Sequence, residues 1–534
     1  MAYLLHELIE DQVNANPDAP ALLFKDERID YARLKHAITG FANGLMEADI
    51  APGERVAVYL PKQPEAVYGM FGAAAAGATF VPVNPVLKSK QVRHILTHCE
   101  ARVLLTSTHR LPVLRNVLQH CPVLHTVVLV DGPADDSATA GLQQTFIDYA
   151  RFSASRTARE HHRRIDTDMA AIFYTSGSTG NAKGVVLSHR NLRVGAHSVA
   201  EYLGNTASDR LLAVLPLSFD AGFSQLTTAF CVGACVTLMD YLLARDVVRA
   251  LSHYGITGMA AVPPLWQQMQ DLDWPEEVRS TLRYITNTGG ALPQATTRKL
   301  QAALPSTNIY LMYGLTEAFR STYLPPELAS TRPDSIGKAI PSARIHVLNA
   351  SGQECAVDEP GELVHRGPLV SMGYWRDPEK TAERFKPWPG QPAGIPLREI
   401  AVWSGDQVRR DADGYLYFIS RSDAMIKTSG YRVSPTEVED AVAESGLVQQ
   451  CIALGLPHAG LGQAILLVAS PSPGVNEITT LSQQITQHCQ RELPNFMVPR
   501  AVVVLESLPS NQNGKVDRRA LSETYTDFFK VQPE

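Results

Sequence analysis

Short β-branched runs alternate with helix-length amphipathic stretches along most of the chain, and this alternation constrains the fold more tightly than any other feature. Arg55–Leu60 (R-V-A-V-Y-L), Val103–Thr106 and Thr126–Val130 predict strands. Pro64–Ala76 and Ser89–His98 predict helices between them. Such alternation over short loops predicts an α/β fold in which parallel-rich sheets are flanked by helices. The most apolar stretch, Met70–Val86, is interrupted by Gly72, Gly77, Pro82, Asn84 and Pro85. It reads as a buried helix feeding a core strand, too broken for a membrane span.

The pattern changes twice. From Ile336 to Gly373, short strands with Gly and Pro turns predict a small β subdomain. Beyond Arg421–Lys427 the chain reads as helix Pro435–Glu444, strands Val448–Leu456 and Ala464–Ala469, helix Leu481–Glu492 and strand Ala501–Leu505. The expected organisation is a large N-terminal domain over residues 1–420 and a small α+β C-terminal domain over 421–534. The polar stretch Asp131–Asp168, with His161 and His162 in its basic cluster, reads as a surface connection.

Composition removes several function classes. An apolar share of 45% excludes a disordered chain. A net charge of −6, without a long run of either sign, asks for neither nucleic acid nor an anionic membrane as partner. The N-terminus turns acidic too early for a signal peptide. Seven cysteines without a C-x-x-C pair read as free, buried thiols of a cytoplasmic protein rather than zinc ligands.

The strongest local signal is Y-T-S-G-S-T-G-N-A-K-G, Tyr174–Gly184, set between the apolar runs Ala170–Tyr174 and Val185–Leu187. Gly177, Gly180 and Gly184 let the backbone turn tightly and bring N–H groups toward an anion. Thr175, Ser176, Ser178 and Thr179 add hydroxyl donors, and Lys183 adds a point charge. Together they form a polyphosphate cradle. It is not a Walker A loop, because Lys183 is flanked by Ala182 and Gly184 instead of Gly and Ser/Thr.

Further strings follow in order: L-P-L-S-F-D at Leu215–Asp220, N-T-G-G-A-L-P at Asn287–Pro293 and Y-G-L-T-E at Tyr313–Glu317. Then come S-G-D at Ser404–Asp406, R-S-D-A-M-I-K-T-S-G-Y-R at Arg421–Arg432 and N-G-K-V-D-R-R-A-L at Asn513–Leu521. With these strings in this order, residues 10–521 resemble the adenylate-forming superfamily of acyl-CoA synthetases, peptide-synthetase adenylation domains and beetle luciferases.

The resemblance implies that a carboxylate and ATP give an acyl adenylate and pyrophosphate, and that the acyl group then passes to a thiol. It implies that Thr175, Ser176, Gly177, Ser178, Thr179, Gly180 and Lys183 hold the β- and γ-phosphates. Gly289, Gly290 and Ala291, with Tyr313 and Gly314, would form the adenine slot; Asp406 and Arg421 would bind the ribose. Thr316 would touch the α-phosphate and Glu317 would ligate Mg²⁺ as a hard oxygen donor. Lys515 would act as the adenylation cation, stabilising charge as it develops. Asp423 would be the hinge of a mobile C-terminal domain that swaps Lys515 out and the Lys427–Tyr431 loop in.

The thiol acceptor is read less directly. Phe219 and Asp220 align with the F-D-x-S motif of peptide-synthetase adenylation domains, in which the aspartate pairs with a substrate α-ammonium. This chain departs from that motif at Gly222, where serine is expected. G-Y-W-R-D-P-E-K-T at Gly373–Thr381 and S-P-T-E-V-E at Ser434–Glu439 instead resemble free-standing acyl-CoA ligases. With 13 residues after Leu521, no fused carrier domain is expected. The expected function is acid–thiol ligation to CoA, with loading of a separate carrier protein's phosphopantetheine as the alternative.

Overall fold

The computed structural model describes residues 3–154, 161–175, 181–421, 425–472, 478–509 and 516–531. The described strands form sheets of seven, fourteen and five strands. In the first, Thr145–Asp148, Thr126–Leu129, Ala101–Thr106, Arg55–Val58, Thr79–Pro82 and Met169–Thr175 run parallel in that spatial order. Lys183–Ser188 closes one edge antiparallel to Met169–Thr175. Interior strands buried on both faces read as unbroken apolar runs, and all four residues of Thr79–Pro82 are buried.

The largest sheet has a parallel centre of Cys235–Leu238, Arg210–Ala213, Gly258–Ala261, Tyr284–Asn287 and Asn308–Tyr313. The short strands Arg344–Leu348 and Gly361–Arg366 pair antiparallel with each other and with Ile400–Arg410, a small β unit at its edge. Leu416–Arg421, Ser335–Ala339 and Thr322–Leu324 link this unit antiparallel to Asn308–Tyr313 of the parallel centre. Helix Pro64–Ala76, apolar all round, is buried beside Tyr31–Glu47. An aromatic cluster welds the two large sheets together: Phe223 of helix Asp220–Phe230 lies 5.0 Å from Phe80 and 5.8 Å from Phe173, both on the seven-stranded sheet.

The five-stranded sheet draws every strand from beyond residue 425 and centres on the antiparallel pair Val448–His458 and Gly462–Pro471. Helices Pro435–Ala443 and Ile478–Glu492 cover it, and Val438, Val442, Leu467 and Ile485 belong to a core of its own. The whole is an α/β fold, a large sheet-and-helix domain carrying a smaller α+β domain.

The stretch 131–168 departs from expectation. Thr145–Asp148 is an edge strand, and Phe152 of helix Tyr149–Ser153 is buried with its ring 5.2 Å from Phe41. Its polarity reflects an edge position, where one side of the strand meets water. His161 Nε2 lies 3.0 Å from Asn43 Oδ1 and His162 Nε2 2.9 Å from the Ile50 carbonyl, so both tie this segment to the protein body. All seven cysteines are free thiols. No described helix is long and apolar enough to cross a membrane.

Candidate active site

Parallel strands in the large sheets end where a cavity of about 490 Å³ opens between the large and small domains. Carboxyl ends of parallel strands are the usual place for a site in open α/β sheets. Thr175 and Tyr313 each close such a strand and line this cavity, as do Phe219, Asp220, Gly289, Gly314, Thr316 and Asp406. Lys427 and Tyr431 line it from the small domain.

Tyr313 donates its phenolic proton to Asp406 Oδ2, so the proposed adenine and ribose residues meet directly. Asp406 faces Arg421 in strand register, although the Arg421 side chain is outside the described residues. Asn287 Nδ2 donates to the Gly290 carbonyl at 2.8 Å and shapes the following turn. Gly289, at φ +77°, forms cavity wall; Gly290 and the exposed Ala291 lie outside it.

Behind Thr316 the chain buries a charge pair. Lys183 Nζ donates to Glu317 Oε1 at 3.1 Å and to the Tyr374 hydroxyl at 2.6 Å. Tyr374 donates to the same carboxylate oxygen at 2.7 Å. Burial alone would push the Glu317 pKa up; Lys183, Arg432 and the Tyr374 hydroxyl reverse this and hold it well below the usual carboxylate range. Burial lowers the Lys183 pKa, and Glu317 partly offsets that.

Glu317 Oε2 is buried and has no hydrogen-bond partner among the described residues. An ionised oxygen held open in the carboxylate that Lys183 contacts is a hard donor suited to Mg²⁺. No cluster of three or more His, Cys, Asp or Glu side chains surrounds it among the described residues, so the remaining ligands would be phosphate oxygens and water. Thr175 and Lys183 are paired across the antiparallel strands that bracket the phosphate loop, and Thr175 Oγ1 is likewise buried without a partner among the described residues. Ser176, Gly177, Ser178, Thr179, Gly180, Asp423 and Lys515 lie outside the described residues.

The wall facing the nucleotide residues is built differently from the F-D-x-S pattern. Asp220 opens helix Asp220–Phe230, and burial raises its pKa although Arg320 and the Ala221 N–H oppose the rise. A Cβ on Gly222 would come within 1.8 Å of the Pro216 carbonyl oxygen. Serine therefore cannot occupy this position unless the 215–216 backbone moves. Phe319 has φ +58° and ψ −53°, and the Arg320 N–H donates to the Ala318 carbonyl at 2.6 Å. This is a γ-turn with positive φ, a conformation costing about 1–3 kcal/mol at a non-glycine residue. It carries Arg320 into the cavity wall.

The small domain reaches this wall through the hairpin Ile426–Thr428/Tyr431–Val433. Ser429 and Gly430 both have positive φ, the two-residue turn that matches strand twist. Tyr431 stacks on Phe496 at 3.8 Å and meets Phe219 of the large domain edge-on at 5.3 Å. A Cβ on Gly430 would lie 2.8 Å from Val262 Cγ1, so this loop is docked closely.

Two residues of the site were not singled out individually in the sequence, although Arg320 falls within the stretch Tyr313–Ser321 that was expected to line the pocket. Tyr374 sits in G-Y-W-R-D-P-E-K-T, a string that does not announce a partner for Lys183. Arg320 had a signal: apart from Glu317, it is the only charge in Tyr310–Leu324.

Known proteins resemble this chain in sequence and fold. Residues 9–375 match the AMP-binding enzyme family and residues 437–515 its C-terminal domain. Tyrocidine synthase 3 from Brevibacillus parabrevis is 29% identical over 97% of this chain, which spans 8% of that relative. A dimodular nonribosomal peptide synthase from Bacillus subtilis (strain 168) is 29% identical over 97% of the chain, spanning 21% of it. Thus the chain spans only a small part of the length of these two curated relatives. Among solved structures, an anthranilate CoA ligase in complex with anthranoyl-AMP is 25% identical, with a TM-score of 0.71, covering 98% of this chain and 97% of that one. The o-succinylbenzoate CoA synthetase of Bacillus subtilis shares the fold at 23% identity and TM-score 0.81, over 97% and 98% of the two chains. The amide bond synthetase of Marinactinospora thermotolerans shares it at 21% and 0.84, over 98% and 99%. With most of its length matched in sequence and its fold shared throughout, the chain belongs to the AMP-binding enzyme family of the adenylate-forming superfamily.

Proposed function

We propose that the protein is an AMP-forming acid–thiol ligase: it joins a carboxylic acid to ATP, releases pyrophosphate, and passes the acyl group to the thiol of CoA. One observation carries this reading. A single cavity runs from Tyr313, Thr316 and Asp406 to the Lys427–Arg432 loop of the small domain, so nucleotide-side and small-domain groups face one volume.

In the first step a carboxylate oxygen attacks the α-phosphorus and the bond to pyrophosphate breaks. Charge gathers on the phosphoryl oxygens, so positioning and positive charge serve better than a proton-transfer base. Thr175 to Gly180 and Lys183 hold the outer phosphates, Thr316 the α-phosphate, and Asp406 and Arg421 the ribose. Mg²⁺ at Glu317 would neutralise phosphate charge. Lys515 steadies the carboxylate and the α-phosphate. In the second step the thiolate attacks the acyl carbonyl and AMP leaves, with the Lys427–Tyr431 loop docked as it is here.

A second reading, loading of an amino acid onto a carrier protein, is favoured by Asp220 in the cavity wall and by the peptide-synthetase relatives. Gly222 and the nearby Arg320 weigh against it, since a cation beside Asp220 opposes a bound ammonium. Pyrophosphate–ATP exchange over fatty, aromatic, hydroxy and amino acids separates the two, with wild type beside Asp220→Ala. Exchange driven by non-amino acids that survives the substitution supports acid–CoA ligation. Exchange driven by amino acids and abolished by it supports carrier loading.

A further inference from the structure

Arg320 is 5% exposed and lines the cavity. Its guanidinium makes no hydrogen bond or ion pair with any described residue, and its Nε is buried without an acceptor. Arginine stays charged at any physiological pH, so it cannot shed its proton to escape burial. A buried cation without a hydrogen-bonded counter-charge is unfavourable, and protein interiors rarely keep one. The γ-turn at Phe319 that places it is itself strained, and strain of this kind gathers at ligand sites. Asp220 feels the field of Arg320 but is not ion-paired with it. Ser218, also buried and lining the same cavity, has a hydroxyl without a hydrogen-bond partner among the described residues.

We propose that the acid substrate carries a second anionic oxygen group, a carboxylate beyond the one that is activated, and that this group seats on Arg320. The proposal rests on the acid-activating function above and names its substrate class. The planar fork of five N–H donors matches a carboxylate bidentately. A site whose buried donor is left unpaired by the wrong ligand discriminates far more strongly than an apolar slot. A monocarboxylic acid of equal length would leave Arg320 as it stands here, charged and unpaired.

The test is pyrophosphate–ATP exchange with matched pairs: α,ω-dicarboxylic acids of three to eight carbons and aromatic diacids, each beside its monocarboxylic partner. Wild type should favour the best diacid over its partner by roughly 10–100-fold in kcat/KM, the span of a charge-assisted contact. Arg320→Met should bring that ratio close to one, and Arg320→Lys should recover part of it. Equal rates for both members of every pair in wild type, or an unchanged ratio in Arg320→Met, overturns the proposal. A rise in Tm with ATP shows that each variant is folded; if Arg320→Met does not fold, the wild-type ratio decides. Failure of every acid to drive exchange in wild type would instead sink the acid-activating function itself.

Discussion

Lys183 Nζ sits 3.1 Å from Glu317 Oε1, joining the end of the phosphate loop to the Y-G-L-T-E motif across 134 residues. Both side chains are largely buried, at 19% and 7% exposure. Removing one partner strands the other. Glu317→Gln should therefore cost about 3–5 kcal/mol, the range for breaking a buried pair, read as a fall in urea midpoint. The double change Lys183→Met/Glu317→Leu should recover most of this stability while leaving exchange activity absent. A Glu317→Gln midpoint equal to wild type would show that the pair contributes nothing to the fold. The lowered Glu317 pKa gives the pH sign: its contribution is present above the unfolded value and is lost as pH falls.

Gly222 offers a sharper steric test. A Cβ there meets the Pro216 oxygen at 1.8 Å, which is backbone and cannot rotate away. Gly222→Ser should destabilise by at least about 1–3 kcal/mol, the usual overpacking range, and should depress exchange because the 215–220 segment lines the cavity. An unaltered Tm with full exchange would mean that this loop is freely repacked.

A substitution in the docked hairpin tests the two half-reactions separately. Gly430, at φ +80°, lies against Val262, so Gly430→Ala adds both backbone strain and a 2.8 Å contact. Thioester formation should fall at least ~10-fold, with pyrophosphate exchange much less affected, if the loop serves thiol transfer. Equal losses in both assays would remove that role.

The converse holds for Lys515. As an electrostatic stabiliser of adenylation, its replacement in Lys515→Ala should slow exchange by ~10²–10³-fold. Thiol transfer from pre-made acyl adenylate should suffer far less. Similar losses in both would defeat the assignment.

Glu437 makes a pH prediction at the junction of the domains. Burial pushes its pKa up from 4.5 to about 7, while Lys90 and the Gln91 side chain on the facing helix pull it down and Asp440 on its own helix pushes it up. A raised pKa means that stability is fully present below the unfolded value and is lost as pH rises through the folded one. Wild type should thus lose Tm between pH 4.5 and about 7 through this group. Glu437→Gln should flatten that slope; identical profiles would show that the carboxyl does not titrate there.

Much of the architecture was legible because local pattern and tertiary burial agree. Helices Pro64–Ala76 and Ser89–His98 lie where the apolar spacing and, for the first of them, a proline at the opening turn put them. The strand Thr145–Asp148 was hidden by its polarity, since an edge strand half in water lacks an unbroken apolar run. In the site, individual motif residues could be named from their chemistry, but not their partners.

Chain order and side-chain chemistry alone therefore determined the alternating α/β plan, the phosphate loop and the resemblance to adenylate-forming enzymes. Tertiary structure decided which charges meet. Lys183 binds Glu317 and Tyr374, and Tyr313 binds Asp406, because strands far apart in sequence end at one cavity. It also decided that Gly222 excludes serine and that Arg320 faces the cavity unpaired among the described residues. These outcomes depend on distances of a few ångströms between segments up to 191 residues apart, and spacing along a chain carries no such information.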